Sequence, residues 1–185
     1  MSQTPERLTT FLAAYEPARS TADAPRRADL DLRRLATVLP DLTIMERLAP
    51  EHVIFRLMGT ATVARLGVDL TGHNFIDYLS PVERARIDEG LAIVAQHPCG
   101  TFSVFENTYS SGAKMRTETL SLPLDGGSGK PPYLIIALQL ARALTRHEAA
   151  KQGTITDTRW LDGVFIDLGS GMPDQSVIDR LSQTS

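Results

Sequence analysis

A single cysteine in 185 residues, Cys99, excludes an intrachain disulfide and any metal centre built from several thiolates. Histidine is nearly as scarce. His52, His73, His97 and His147 have no metal-ligand spacing among them, and His147-Glu148-Ala149-Ala150-Lys151 lacks the second histidine of a zinc-protease helix. Long apolar runs are missing: the longest, Leu134 to Leu144, is interrupted by Gln139 and Arg142 and falls short of the ~20 residues a membrane span needs. So is a basic excess. Residues 1–147 carry 16 Lys and Arg against 16 Asp and Glu, and residues 148–185 carry 3 against 6, so the net charge of -3 arises in the tail. The runs Arg26-Arg27 and Arg33-Arg34, flanked by Asp23, Asp29 and Asp31, read as solvated faces. Neither nucleic acid nor a membrane is therefore an expected partner. Met1 to Leu8, with Glu6 and Arg7, has no apolar signal region, which points to the cytoplasm. The glycine-rich stretches fail as phosphate sites: Leu124 stands where a P-loop around Gly129 needs glycine, Pro131 follows Lys130, and Gly169-Ser170-Gly171 has no third glycine.

What is present is an ordinary globular composition, 42% hydrophobic and 22% charged, in a length that suits one domain with appendages. Leu8, Phe11, Leu12 and Tyr15 recur at helical spacing and predict an N-terminal amphipathic helix. A linker comes next, then a short helix capped at Asp29 and ended by Pro40. Leu42 to Leu48 and His52 to Met58 predict a hairpin turned at Ala49-Pro50-Glu51. Gly59 ends it, Thr60 to Leu66 reads as a short helix, and Gly67 supplies a left-handed end. Ser80-Pro81-Val82-Glu83 has the form of a capping box opening a helix that ends before Pro98. Thr101 to Tyr109, Lys114 to Leu124 and Tyr133 to Ala141 predict an antiparallel meander. Tyr133-Leu134-Ile135-Ile136-Ala137-Leu138 does not alternate, so both of its faces should be covered, by the central helices on one side and by the N-terminal helix or a second copy of the chain on the other. Trp160 to Leu168 reads as an apolar tail packing back on the domain. The expected divisions are 1–28 (helix and linker), 29–145 (domain) and 146–185 (C-terminal extension).

Two strands, short helices, one longer helix and a three-stranded meander is the order of a PAS domain. Phe55-Arg56-Leu57-Met58-Gly59-Thr60 and Gly67-Val68-Asp69-Leu70-Thr71-Gly72-His73-Asn74-Phe75 resemble the Arg-Leu-x-Gly-Thr and Gly-x-Asp-Leu-Thr-Gly pattern of a bacterial stand-alone PAS subfamily. Leu39-Pro40-Asp41-Leu42 and Asp167-Leu168-Gly169-Ser170-Gly171 are similar to it as well, so the likeness covers roughly residues 25–171. The resemblance implies an α+β fold: a five-stranded antiparallel sheet with helices on one face, here with an N-terminal helix and a C-terminal tail added. It implies a non-catalytic sensory or protein-interaction module that acts through dimerisation or a signalling partner and can hold a small-molecule ligand. No output domain is visible, so the signal must pass to another protein.

The resemblance also bears on cofactors. Light-oxygen-voltage PAS domains carry a flavin-reactive cysteine in Gly-x-Asn-Cys, where this chain has Gly72-His73-Asn74-Phe75, and phenylalanine forms no thiol adduct. Haem-binding PAS domains use a pocket histidine. His73 and His97 are the candidates, but an isolated histidine is more often a surface or cap residue, and haem is not expected. The ligand, if any, stays unnamed. Candidate ligand contacts are Arg56, His73, Phe75, Tyr78, Arg116 and Glu118, and the candidate dimer stripe is Leu8, Phe11, Leu12 and Tyr15. Arg116 and Glu118 share a face with Leu120, Leu122 and Leu124, so they form either the polar end of a pocket or a salt bridge beyond the core, the commoner case. The competing class is a cone-shaped α+β enzyme of the nuclear-transport-factor type, which needs a general base deep in its cavity.

Overall fold

Side-chain alternation along extended runs builds the centre of the molecule. The structure, a computed structural model, describes residues 4–19, 24–97, 99–126, 133–141 and 144–182. Leu42–Ala49 (β1) and His52–Met58 (β2) form a hairpin whose turn residue Glu51 takes a φ of 57°. Gly100–Tyr109 (β3), Lys114–Leu124 (β4) and Tyr133–Leu140 (β5) make the meander. The Gly129-Lys130 segment, read from the sequence as a loop, lies outside the described residues. A single sheet results, ordered β2-β1-β5-β4-β3-β6. Its sixth strand, Ile155–Ile166 (β6), corrects the expectation of five. The segment read as an apolar tail pairs with β3 from Gly100↔Ile166 to Tyr109↔Ile155, with a bulge where Leu161 falls between the partners of Val104 and Phe105.

Among the described residues six α-helices accompany the sheet: Thr4–Arg19 (α1), Leu32–Leu35 (α2), Thr60–Leu66 (α3), Arg84–Gln96 (α4), Arg146–Gln152 (α5) and Gln175–Ser182 (α6). Asp31, rather than Asp29, caps α2 by accepting from the Arg33 amide at 2.9 Å. The box at Ser80-Glu83 does not form. Ser80 is drawn to β6, where its amide donates to the Thr158 carbonyl at 3.1 Å, and residues 81–83 make a turn before α4 starts at Arg84. A reciprocal box closes instead at α5, between Thr145 and Glu148.

Two glycines of the sequence pattern have steric reasons. A Cβ on Gly59 would strike the carbonyls of Leu39 and Pro40, because the Gly59 amide is pulled in to the Leu42 carbonyl at 2.7 Å. Gly67 ends α3 at φ 71°, a left-handed conformation that glycine adopts without penalty, and lies against the Gly153 backbone.

The two faces of the sheet carry different cores. On the outer face Ile44, Leu120, Leu122, Leu124, Ile136, Leu138 and Leu140 pack against Phe11, Ala14 and Tyr15 of α1 and against Leu35 and Val38. Full burial of one such side chain is worth about 1.5–3 kcal/mol. The Tyr15 hydroxyl donates to the Pro123 carbonyl at 2.7 Å, and Arg7 donates to the carbonyls of Gln139 and Ala141 at 3.0 Å each. These bonds fix α1 across β4 and β5. On the inner face Met45, Val53, Phe55, Ile135 and Ala137 meet Leu66, Leu70, Ile76, Leu79, Leu91 and Val94.

Candidate ligand pocket

The inner face mixes polar with apolar side chains away from β1 and β2. Strand register places Thr43 beside Ala137, Ala137 beside Ser121, Ser121 beside Thr101 and Thr101 beside Phe165, which forms one row across five strands. The next row is Gln139, Thr119, Ser103 and Gly163, and beyond it Thr117, Phe105 and Trp160. Neighbours within a row have Cβ atoms ~4.5–5.5 Å apart. The rows make a polar floor, and above it lies a cavity of about 140 Å³.

The roof comes from the segment between β2 and α4. The Gly72 amide donates to the Phe55 carbonyl at 2.8 Å, and the Phe55 amide donates to the His73 carbonyl at 3.1 Å. Asn74 completes the staple: its Oδ1 accepts from the Val53 amide at 2.9 Å and its Nδ2 donates to the Glu51 carbonyl at 3.0 Å. Upstream, the Asp69 carboxylate accepts from both the hydroxyl and the amide of Thr71, which hold it below the usual carboxylate range. The loop is thereby fixed so that Leu70, Phe75 and Tyr78 lean over the floor with Leu66, Ile87 and Leu91. Phe55 and Phe75 meet edge to face, ring centroids 5.6 Å apart.

Polar groups buried here are not all satisfied by one another. Asn107 donates to the Thr117 hydroxyl at 3.3 Å and accepts from Thr158 at 3.0 Å. The Thr43 hydroxyl, 3% exposed, lines the cavity with no partner among the described residues. Arg65, 1% exposed on α3, reaches Asp41 at 2.7 Å and the Gln139 Oε1 through Nε and Nη2 at 3.4 and 3.3 Å. Burial lowers the pKa of its guanidinium, and Asp41 opposes that shift. At the opposite end Arg86 of α4 lies over the Trp160 ring, 4.2 Å from its centroid, and pairs with the buried Glu83. Arg86 is the one charged residue lining the cavity, and no carboxylate, imidazole or thiol lines it among the described residues.

Of the residues singled out in the sequence, Phe75 and Tyr78 line this cavity. His73 is exposed and its Nδ1 stands 3.1 Å from the Tyr78 hydroxyl. Arg56 is exposed and paired with Glu46. Arg116 and Glu118 do share the face of Leu120, Leu122 and Leu124, but that face is the outer one, under α1, and neither lines the cavity. Phe11 and Tyr15 are fully buried on the chain's own sheet, while Leu8 and Leu12 pack at the margin of the same core. Cys99 is buried with Ile93 and Leu181, and burial pushes its thiol up to about 11. All four histidines are exposed. Sequence reasoning misses the hydroxyl floor of Thr117, Thr119 and Ser121 because Leu120, Leu122 and Leu124 mark the other face of the strand as the interior. A usable signal exists in the same positions, since a meander covered on both sides has no solvent face.

A family model described as a PAS domain matches residues 3–139. No curated protein matches the sequence. Among solved structures the chain is similar to a light-oxygen-voltage domain studied with a flavin analogue, at 16% identity and a TM-score of 0.44 over 64% of this chain and 87% of that one. It is similar also to the light-state light-oxygen-voltage domain of the blue-light photoreceptor Aureochrome1, at 12% identity and a TM-score of 0.43 over 65% and 94%. The PAS domain of a protein from Colwellia psychrerythraea gives 12% and 0.41 over 62% and 98%.

Proposed function

The chain belongs to the PAS domain family, and from that premise we propose that it is a non-catalytic sensory module whose signal is a small molecule held between the inner sheet face and the Leu70–Tyr78 roof. The observation that carries this reading is the unpartnered Thr43 hydroxyl, buried beside a cavity of about 140 Å³ with a polar floor. A buried hydroxyl without a partner costs roughly 1–3 kcal/mol, which a ligand oxygen would recover. Phe75 and Tyr78 contact the ligand in this proposal; Arg56, His73, Arg116 and Glu118 do not.

The residues at the cavity do not suit a thiol-adduct flavin or a haem. Neither Cys99 nor any histidine lines the cavity among the described residues. The enzyme alternative has less support, since of the His, Asp or Tyr side chains that could act as its general base only Tyr78 lines the cavity among the described residues. No described helix is long and apolar enough to cross a membrane, which is compatible with a cytoplasmic signalling role. The output passes to a second protein or a second copy of the chain. Leu8 and Leu12 are the part of the candidate dimer stripe still partly exposed for such a contact.

Native mass spectrometry beside an absorption spectrum of the purified protein tests the reading. A retained organic mass, or a melting-temperature rise on adding a cavity-sized compound, supports it. An apo protein that no compound in a fragment library stabilises overturns it. Sedimentation at micromolar concentration separates a dimer from a monomer that needs a different partner.

A further inference from the structure

The chain is poor in aromatics, with eleven Phe, Tyr and Trp residues, yet six of them line the cavity beneath the Leu70–Tyr78 roof: Phe55, Phe75, Tyr78, Phe105, Trp160 and Phe165. Aromatic walls favour a flat ring, which they meet by edge-to-face or offset contact. The volume suits one ring, because a cavity of roughly 150 Å³ takes a benzene.

Hydrogen-bonding capacity narrows the class further. Arg86, the only charged group lining the cavity among the described residues, is already paired with Glu83 and lies over Trp160, so it brings no net charge to the pocket. Gln139 supplies donors. Arg65 can only donate, so its two contacts hold the Gln139 Oε1 toward α3, and the amide N–H groups are what Gln139 can offer elsewhere. Thr43 supplies a hydroxyl with no partner among the described residues. No carboxylate stands in the described lining, so the acceptors of a bound molecule are what these donors can meet.

We propose that the pocket takes a neutral single-ring aromatic molecule whose acceptor oxygen is directed to Thr43 or Gln139. The proposal rests on the ligand-pocket reading of the function and specifies its chemistry.

Four probes of one ring size decide it by titration on the full chain, monitored by NMR: benzene, benzamide, benzoate and benzylammonium. The expected result is that benzamide binds at least fivefold more tightly than benzene, benzoate or benzylammonium. Thr43→Val, which keeps the shape and removes the hydroxyl, should weaken benzamide at least threefold and leave benzene within twofold. Benzene, benzoate or benzylammonium binding as tightly as benzamide overturns the proposed class while the pocket stands. Failure of all four probes to bind also overturns the class, and the pocket reading then falls only if the fragment library finds no stabilising compound. Because the probe comparison is made on the unmodified protein, the result does not depend on the variant folding.

Discussion

Two faces of one sheet are separated by a single residue step along β4, yet they do different work. Leu120, Leu122 and Leu124 point to α1 and are 0–2% exposed, in an apolar core closed by Phe11 and Tyr15. Thr117, Thr119 and Ser121 point the other way, are just as nearly buried, and border a cavity. Close packing holds a fold together, and buried polarity beside open volume gives it something to recognise. Both faces contribute apolar core, and on the proposed function the inner one also supplies specificity.

The largest test of that division is Leu122→Ala. It removes a fully buried side chain from the α1 contact and should cost about 2–5 kcal/mol in urea unfolding, with little change in the affinity of any pocket ligand. A loss of affinity with no loss of stability would reverse the assignment of the two faces. Tyr15→Phe is milder. It leaves the ring in place and removes the hydrogen bond to Pro123, so unfolding should become easier by about 1–1.5 kcal/mol, measured the same way.

Alkaline titration gives a third measurement. Burial raises the pKa of Cys99 to about 11 from an ordinary 9.0, and raises Tyr15 and Tyr109 as well. In each case the folded protein holds the proton more firmly than the unfolded chain. That contribution is complete below the ordinary pKa and is lost as pH rises toward the folded value, so for Cys99 stability should fall between about pH 9 and about pH 11. Cys99→Ala should make the fall in melting temperature over that window shallower; an unchanged slope would mean that the thiol already meets water. The smallest effect expected is for Thr119→Val on the inner face, within about 1 kcal/mol of the parent because no leucine-like packing is lost there. A multi-kilocalorie loss would show that the hydroxyl floor is structural.

Much of the architecture can be read from residue order. The hairpin over 42–58, the meander, the αL end at Gly67 and the covered β5 come from alternation and from glycine, and those signals act over a few residues. Three other features depend on longer-range choices. Ser80-Pro81-Val82-Glu83 satisfies every local requirement of a helix start, but the backbone of Ser80 is committed to Thr158 on a strand seventy-eight residues later. β6 escapes a local reading because Ile155, Thr158 and Trp160 face inward in mixed company and the bulge at Leu161 shifts the phase of the residues after it. The pocket is expected on the leucine face of β4, since leucines mark an interior, and it lies on the other. Alternation identifies two faces of a strand, and only the position of α1 decides which of two buried faces holds the cavity.

The bulge in β6 also bears on behaviour in a crowded solution. β6 is the last strand of the sheet and has no neighbouring strand on its far side among the described residues. An unpaired edge is a template on which another chain can add a strand. Here the bulge at Leu161 breaks the regular spacing of free amides and carbonyls, the parallel bridge from Leu79 occupies Thr158, and Asp157, Arg159 and Asp162 bring charge to the rim. These are the devices by which edge strands resist intermolecular pairing, so the same residues that complete the sheet guard it against growing into an aggregate.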